Sequence, residues 1–233
     1  MSKHWFVIIG ITLFTGCYPA AKMTQGLVGI TSDYCSDQHP VLATLSRCYL
    51  KQPYDNYGIT KRNANDIVAG RCLLLHAVAD GRDDVFDALL RSGAEPKQCG
   101  PDYQAKFYRD WIQGCHIQQF KERFDQLGLV PSQSPQELLE LALHWRPCAE
   151  GVEFAVSRGA DPNALDADGY LPLDAAVSSL NDSNIETAAM LVKLGADPFK
   201  VSPGTGVSPY EFAAKRYYDS RNWPLMKNAL LQK

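Results

Sequence analysis

Three copies of one phrase punctuate the chain: Gly93-Ala94-Glu95-Pro96, Gly159-Ala160-Asp161-Pro162 and Gly195-Ala196-Asp197-Pro198. Each closes an apolar run of helical spacing. A glycine there predicts a helix stop in the left-handed backbone conformation, which residues with a Cβ enter only under strain. The glycines stand 66 and 36 residues apart, and 66 is twice 33, so a further stop is expected between the first two. A degraded copy lies there, Phe124-Asp125-Gln126-Leu127-Gly128-Leu129-Val130-Pro131, and the steps become 35, 31 and 36 residues. That is the period of a helix-turn-helix repeat.

The degraded unit reads as a helix pair without the phrase. Tyr103, Phe107 and Trp111 fall at i, i+4 and i+8, and Ile117, Phe120, Phe124 and Leu127 at i, i+3, i+7 and i+10. Such pairs bury their apolar faces only by stacking on neighbours, and terminal units must be altered to meet water. Residues 216–233 have that character, with Lys and Arg interleaved among Trp223, Leu225, Met226, Leu230 and Leu231.

From Cys72 to Pro96 the pattern resembles the ankyrin-repeat family, carried by Leu74, Ala77, Gly81, Val85, Leu89, Leu90, Gly93 and Ala94. In the third unit the opening helix, around Leu138, Leu141 and Ala142, is one residue out of register with the second, around Phe154, Ala155 and Val156. The fourth opens Gly169-Tyr170-Leu171-Pro172-Leu173-Asp174-Ala175-Ala176, with Leu171 for the family's Thr and Asp174 for its His, a change that weakens a local hydrogen bond. It carries about three inserted residues over 179–184, and a final partial unit opens at Gly206. The resemblance spans residues 65–231 and implies an all-α, ankyrin-type α-solenoid of four to five repeats.

The expected organisation is a lipoprotein signal peptide over residues 1–16, a lipidated tether over 17–33, an N-terminal helical cap over 34–64 and the repeat domain over 65–233. Lys3 precedes an apolar stretch from Trp5 to Phe14, too short to span a bilayer about 30 Å thick. Leu13-Phe14-Thr15-Gly16-Cys17 resembles a bacterial lipobox, with Phe14 where Leu is usual. It implies lipidation at Cys17, with simple secretion as the alternative. Tyr18, not Asp, after the cysteine implies sorting to the outer membrane and exposure to the periplasm.

Apart from Cys17 six cysteines remain, Cys35, Cys48, Cys72, Cys99, Cys115 and Cys148. An even number suits disulfides in an oxidising compartment, and buried free thiols are the alternative. Cys115 and Cys148 lie 33 residues apart, one repeat, near turns between paired helices. Cys35 with Cys48 and Cys72 with Cys99 are then the local pairings.

With Lys3 removed, 22 basic residues face 26 acidic ones, a net charge of about −4 that disfavours nucleic acid as partner. Apolar residues at 45% and aromatics at 10% exclude general disorder. Cys115, His116, His144 and Cys148 could be arranged around zinc, but disulfide chemistry competes for both thiols, and no metal or other cofactor is expected. His76 reads as a core or turn residue. No Gly-x-Ser-x-Gly, no His-Glu-x-x-His and no Ser-x-x-Lys with its companion motifs is present, and no catalytic residue is expected.

Binding is the remaining task, and the resemblance places it on the turns between repeats and on the first helices. Carried onto this chain, those positions are Lys97, Gln98, Asn163, Leu165, Asp166, Asp168, Tyr170, Phe199 and Lys200, with Arg109 on a first helix. Trp111 and Trp145 lie on or near first helices and read as core, while Asp166, Asp168 and Gly169 also shape the turn. The combination of lipid anchor, disulfides and ankyrin repeats resembles immunity proteins made beside type VI secretion effectors, especially phospholipases. It implies a partner protein bound without turnover by a chain that is monomeric when unbound. A periplasmic scaffold or chaperone-like protein supporting an envelope enzyme is the alternative.

Overall fold

The computed structural model describes residues 59–232. Cys17, Cys35, Cys48, residues 1–16 and 17–33, and nearly all of 34–64 lie outside them; residues 61–65 form a turn. The chain continues through strands β1 (Ile67–Val68) and β2 (Arg71–Cys72) into ten helices: α1 (Leu73–Ala79), α2 (Asp83–Arg91), α3 (Tyr103–Gln113), α4 (Ile117–Gln126), α5 (Pro135–Leu143), α6 (Ala149–Ser157), α7 (Pro172–Ala176), α8 (Asp182–Lys193), α9 (Pro209–Tyr217) and α10 (Trp223–Leu231). They make five antiparallel pairs. First helices α1, α3, α5 and α7 stack in series, and second helices α6, α8 and α10 pack behind them. The last unit, expected to be partial, is a complete pair. None of the described helices is long and apolar enough to cross a membrane.

Four helix ends are built alike. After α2, α4, α6 and α8 the amides of Gly93, Gly128, Gly159 and Gly195 donate to the carbonyls of Leu90, Asp125, Val156 and Val192. The next amides, of Ala94, Leu129, Ala160 and Ala196, donate to Leu89, Phe124, Ala155 and Leu191. This double bond satisfies carbonyls that a helix end leaves open, and it needs a positive φ at the glycine. The four φ values are 92°, 62°, 103° and 102°. A Cβ at any of these glycines would meet nothing within 4 Å, so backbone conformation and not space selects glycine. The degraded copy at Gly128 is therefore a full structural repeat.

First helices open alike too. Pro135, Pro172 and Pro209 start α5, α7 and α9, where a missing N–H costs nothing. Ser134 with Glu137 and Ser208 with Glu211 bond reciprocally as capping boxes. At α7 the side-chain half of the box is lost: the Leu171 amide donates to Asp174 Oδ2 at 2.8 Å, but Leu171 has no side-chain oxygen, and its carbonyl accepts from the Asp174 amide instead. Asp174 Oδ1 is buried and has no hydrogen-bond partner among the described residues.

The turns within pairs absorb the length changes. In the first unit the Arg82 amide reaches back five residues to the Ala77 carbonyl, and in the second His116 reaches Trp111. In the third, Cys148 reaches Ala142 across six. That extra residue accounts for the one-residue register slip, and Trp145 absorbs it at φ 61°. In the fourth, the backbone bond is replaced: the Asn184 side-chain amide donates to the Ala176 carbonyl at 2.8 Å. α8 is also three residues longer than α2 and α6, twelve against nine.

The core between units two and three is aromatic. Trp111, 1% exposed, lies 4.8 Å from Phe124, 5.0 Å from Phe154 and 5.2 Å from Tyr108, ring centre to ring centre. Its indole N–H donates to the His116 and Ile117 carbonyls. Phe86 joins the cluster edge-on to Phe107 and Phe120. Leu127, expected on the buried face of α4, is 36% exposed at its end. Between second helices, Arg123 of α4 clasps both Asp87 oxygens of α2 at 2.7 and 2.6 Å.

Two disulfides pin the first three units. Cys72 joins Cys99 across 27 residues, the local pairing, and Cys115 joins Cys148 across 33, the pairing read from the repeat frame. Cys148 is also the N-cap of α6, its sulfur accepting from the Gly151 amide.

The β1–β2 hairpin was not anticipated. It pairs Val68 with Arg71 around the two-residue loop Ala69-Gly70, with φ of 50° and 76°. Two successive positive φ values define the hairpin turn that favours Asn-Gly over Ala-Gly. His76 Nε2–H donates to the Val68 carbonyl and fixes the hairpin on α1. Replacing Ala69 by Asn is expected to raise stability by about 0.5 kcal/mol, because Ala carries strain there. An unchanged or lower urea midpoint for A69N would refute this.

Candidate functional site

The first helices and the turn over residues 161–171 enclose a groove made of two adjoining cavities, of about 380 and 330 Å³. The larger has an apolar floor, Leu139 and Leu143 from α5 and Leu171, Pro172 and Ala175 from the start of α7. Its rim carries Glu140, His144, Asp166, Asp168 and Tyr170. The smaller is lined by Arg109 and Gln113 of α3, Gln133, Glu137 and Leu141, and it shares Glu140 and His144 with its neighbour.

Local sequence explains this placement. Gln136 and Glu140, at i and i+4, hold one face of α5 toward the groove and His144 follows at its C-cap, while Leu138 and Ala142 are buried. Asp166 folds the rim: its Oδ1 accepts from the Asp168 and Tyr170 amides at 2.9 and 2.8 Å. The Tyr170 ring lies over Gly204, where a Cβ would come within 2.9 Å of it. At the far end of α5, Trp145 stands 88% exposed, edge-on to His144 at 5.3 Å. The expectation that Trp145 is core is thus corrected; the inserted residue turns it outward.

Of the positions expected to bind, Arg109, Asp166, Asp168 and Tyr170 line the groove. Leu165, 44% exposed, stands beside them. Asn163 is occupied within the fold, donating to the Gly195 carbonyl and accepting from the Asp197 amide, both at 2.8 Å. Asn65 makes the same bracket three repeats earlier, to Gly93 and Glu95. Lys200 reaches the Asn163 carbonyl, and Phe199 is exposed on the next turn with its ring 5.2 Å from Tyr210. Lys97 and Gln98 are exposed on the short 3₁₀ turn Pro96–Cys99 and line neither cavity.

No protein-family profile matches the chain, and no curated protein matches it in sequence. Among solved structures it is similar to the crystal structure of the human ASB11 ankyrin repeat domain, at 17% identity and a TM-score of 0.44, over 80% of this chain and 77% of that one. The five helix pairs and their shared hydrogen bonds make the fold an all-α helical repeat.

Of the two residues common to both cavities, sequence reasoning missed Glu140 and weighed His144 only as a zinc ligand. The signal for Glu140 was present, a polar residue four after Gln136 on the helix that buries Leu138 and Ala142. The disulfide engages Cys115 and Cys148, so neither offers a thiolate beside His116 or His144. Among the described residues no group of three or more His, Cys, Asp or Glu is placed to hold a metal ion.

Glu137, in the smaller cavity, is held below its ordinary pKa by the Ser134 amide and then the Ser134 side chain, as Glu211 is by Ser208. A depressed carboxylate contributes stability that is present above its unfolded pKa and lost as pH falls through the lowered folded value. Both caps are therefore expected to persist until the pH is below the ordinary glutamate range. Side-chain carboxyl NMR titration checks this, and midpoints at or above that range would rule it out.

Proposed function

We propose that the chain is a lipid-anchored, periplasm-facing binding protein that captures a partner protein and neutralises it by occlusion, the partner being a phospholipase-type antibacterial effector. The groove on the first helices supports the binding part. It is an open depression with an apolar floor and a polar rim, flanked by a fully presented tryptophan, and aromatic residues with Arg are the usual anchors of protein interfaces. The lipobox at Cys17 and the two disulfides support the location, since disulfides persist in oxidising compartments. Attachment by the several acyl chains of a lipidated cysteine is lasting, because each buried CH₂ contributes about 0.8 kcal/mol.

The test is protection of a sensitive cell. Cells expressing the chain should survive periplasmic delivery of the effector made beside it and should yield a complex of the two on purification. Cys17→Ser should abolish labelling by radioactive palmitate. If the cells die at the same effector dose with and without the chain, and no effector co-purifies, the neutralising role is wrong. Co-purification of an envelope enzyme instead would replace it with the scaffold role.

A further inference from the structure

We infer that the groove takes a basic segment of the partner protein, seating an arginine or lysine side chain in the larger cavity; this deepens the binding role proposed above and rests on it. Glu140, Asp166 and Asp168 surround that cavity, no Lys or Arg lines it, and none of the three carboxylates is in an ion pair among the described residues. Three like charges around one depression repel one another, and an entering cation relieves that repulsion. The floor is aliphatic, with Leu143 and Ala175 partly exposed in it, and it matches the methylene stem that a long basic side chain buries beneath its charged head. Tyr170, 42% exposed on the rim, adds a ring face for the head. A lone cation would find no use for the apolar floor. The second cavity continues past the shared Glu140 and His144 to Arg109 and Gln113, room for a run of peptide.

The test uses the full chain in detergent and a labelled peptide of alternating arginine and alanine, with a citrulline peptide of the same shape and no charge. Fluorescence anisotropy is expected to show binding of the arginine peptide that weakens as salt is raised. Binding should fall about tenfold or more both for the citrulline peptide and for the Glu140→Lys/Asp168→Lys chain. Glu122→Lys/Glu186→Lys makes the same change of net charge on second helices and should leave binding as it was. The inference is overturned if arginine and citrulline peptides bind alike, if both double variants weaken binding equally, if no binding occurs at millimolar peptide, or if spermine at the peptide's own concentration displaces it fully. Circular dichroism checks that the variants fold, and Glu140→Gln/Asp168→Asn, expected to weaken binding less, serves if the reversal does not. Loss of groove binding in a chain that still protects cells sinks this inference alone. A chain that binds arginine peptide but protects no cell sinks only the neutralising role.

Discussion

Reduction of the two disulfides is expected to lower the free energy of unfolding by about 7 kcal/mol, about 3.5 from each. The closed loops span 27 and 33 residues, and the chain-entropy relation for loops of that size gives this figure. A domain of ordinary stability has only about 5–15 kcal/mol to lose, so the reduced chain should be unfolded or near its midpoint at room temperature. Serine pairs separate the two bonds, Cys72→Ser/Cys99→Ser and Cys115→Ser/Cys148→Ser, each measured by urea unfolding. In the second pair the serine hydroxyl can take over from the sulfur as N-cap acceptor for the Gly151 amide, so the loss there reports the bridge and not the cap. Equal urea midpoints for the oxidised and reduced chains would show that these bridges do not brace the stack.

The second large effect separates two tryptophans that look alike in sequence. Trp111→Ala is expected to cost about 3–5 kcal/mol, because a fully buried indole leaves a cavity and two lost carbonyl bonds. Trp111→Phe keeps most of the volume and should cost less. Trp145→Ala, at a site 88% exposed, should fall within about 0.5 kcal/mol of the parent. Trp145→Gly should stabilise by up to about 1 kcal/mol by accepting the positive φ without strain. Similar losses for Trp111→Ala and Trp145→Ala would contradict the packing described.

Those tryptophans also mark where the sequence is and is not readable. Periodicity and the Gly-Ala-acid-Pro phrase report backbone conformation directly, since a positive φ selects glycine whatever surrounds it. For that reason Gly128 could be found although the rest of its copy had decayed. Trp145 could not be placed the same way. One inserted residue rotates the chain between Ala142 and Cys148, and which side chain absorbs it depends on tertiary bonds that composition does not reveal. The Ala69-Gly70 turn was hidden for a related reason: its strands have two residues each, and Ala is a poor signal for a left-handed position. Half of the groove was legible, through Asp166, Asp168, Tyr170 and Arg109. Glu140 was passed over because an exposed polar residue on a helix looks the same whether it faces open water or a depression.

The covalent bridges fall unevenly along the stack. Both lie between residues 72 and 148, and no disulfide among the described residues touches α7 to α10. The groove straddles that divide, with α3 and α5 on the bridged side and Asp168 and Tyr170 on the other. Backbone amides of α8 and α10 should exchange with deuterium sooner than those of α1 and α3, the C-terminal end fraying while the other holds. A guest that grips both walls would act as the missing clasp and slow exchange in the unbridged half.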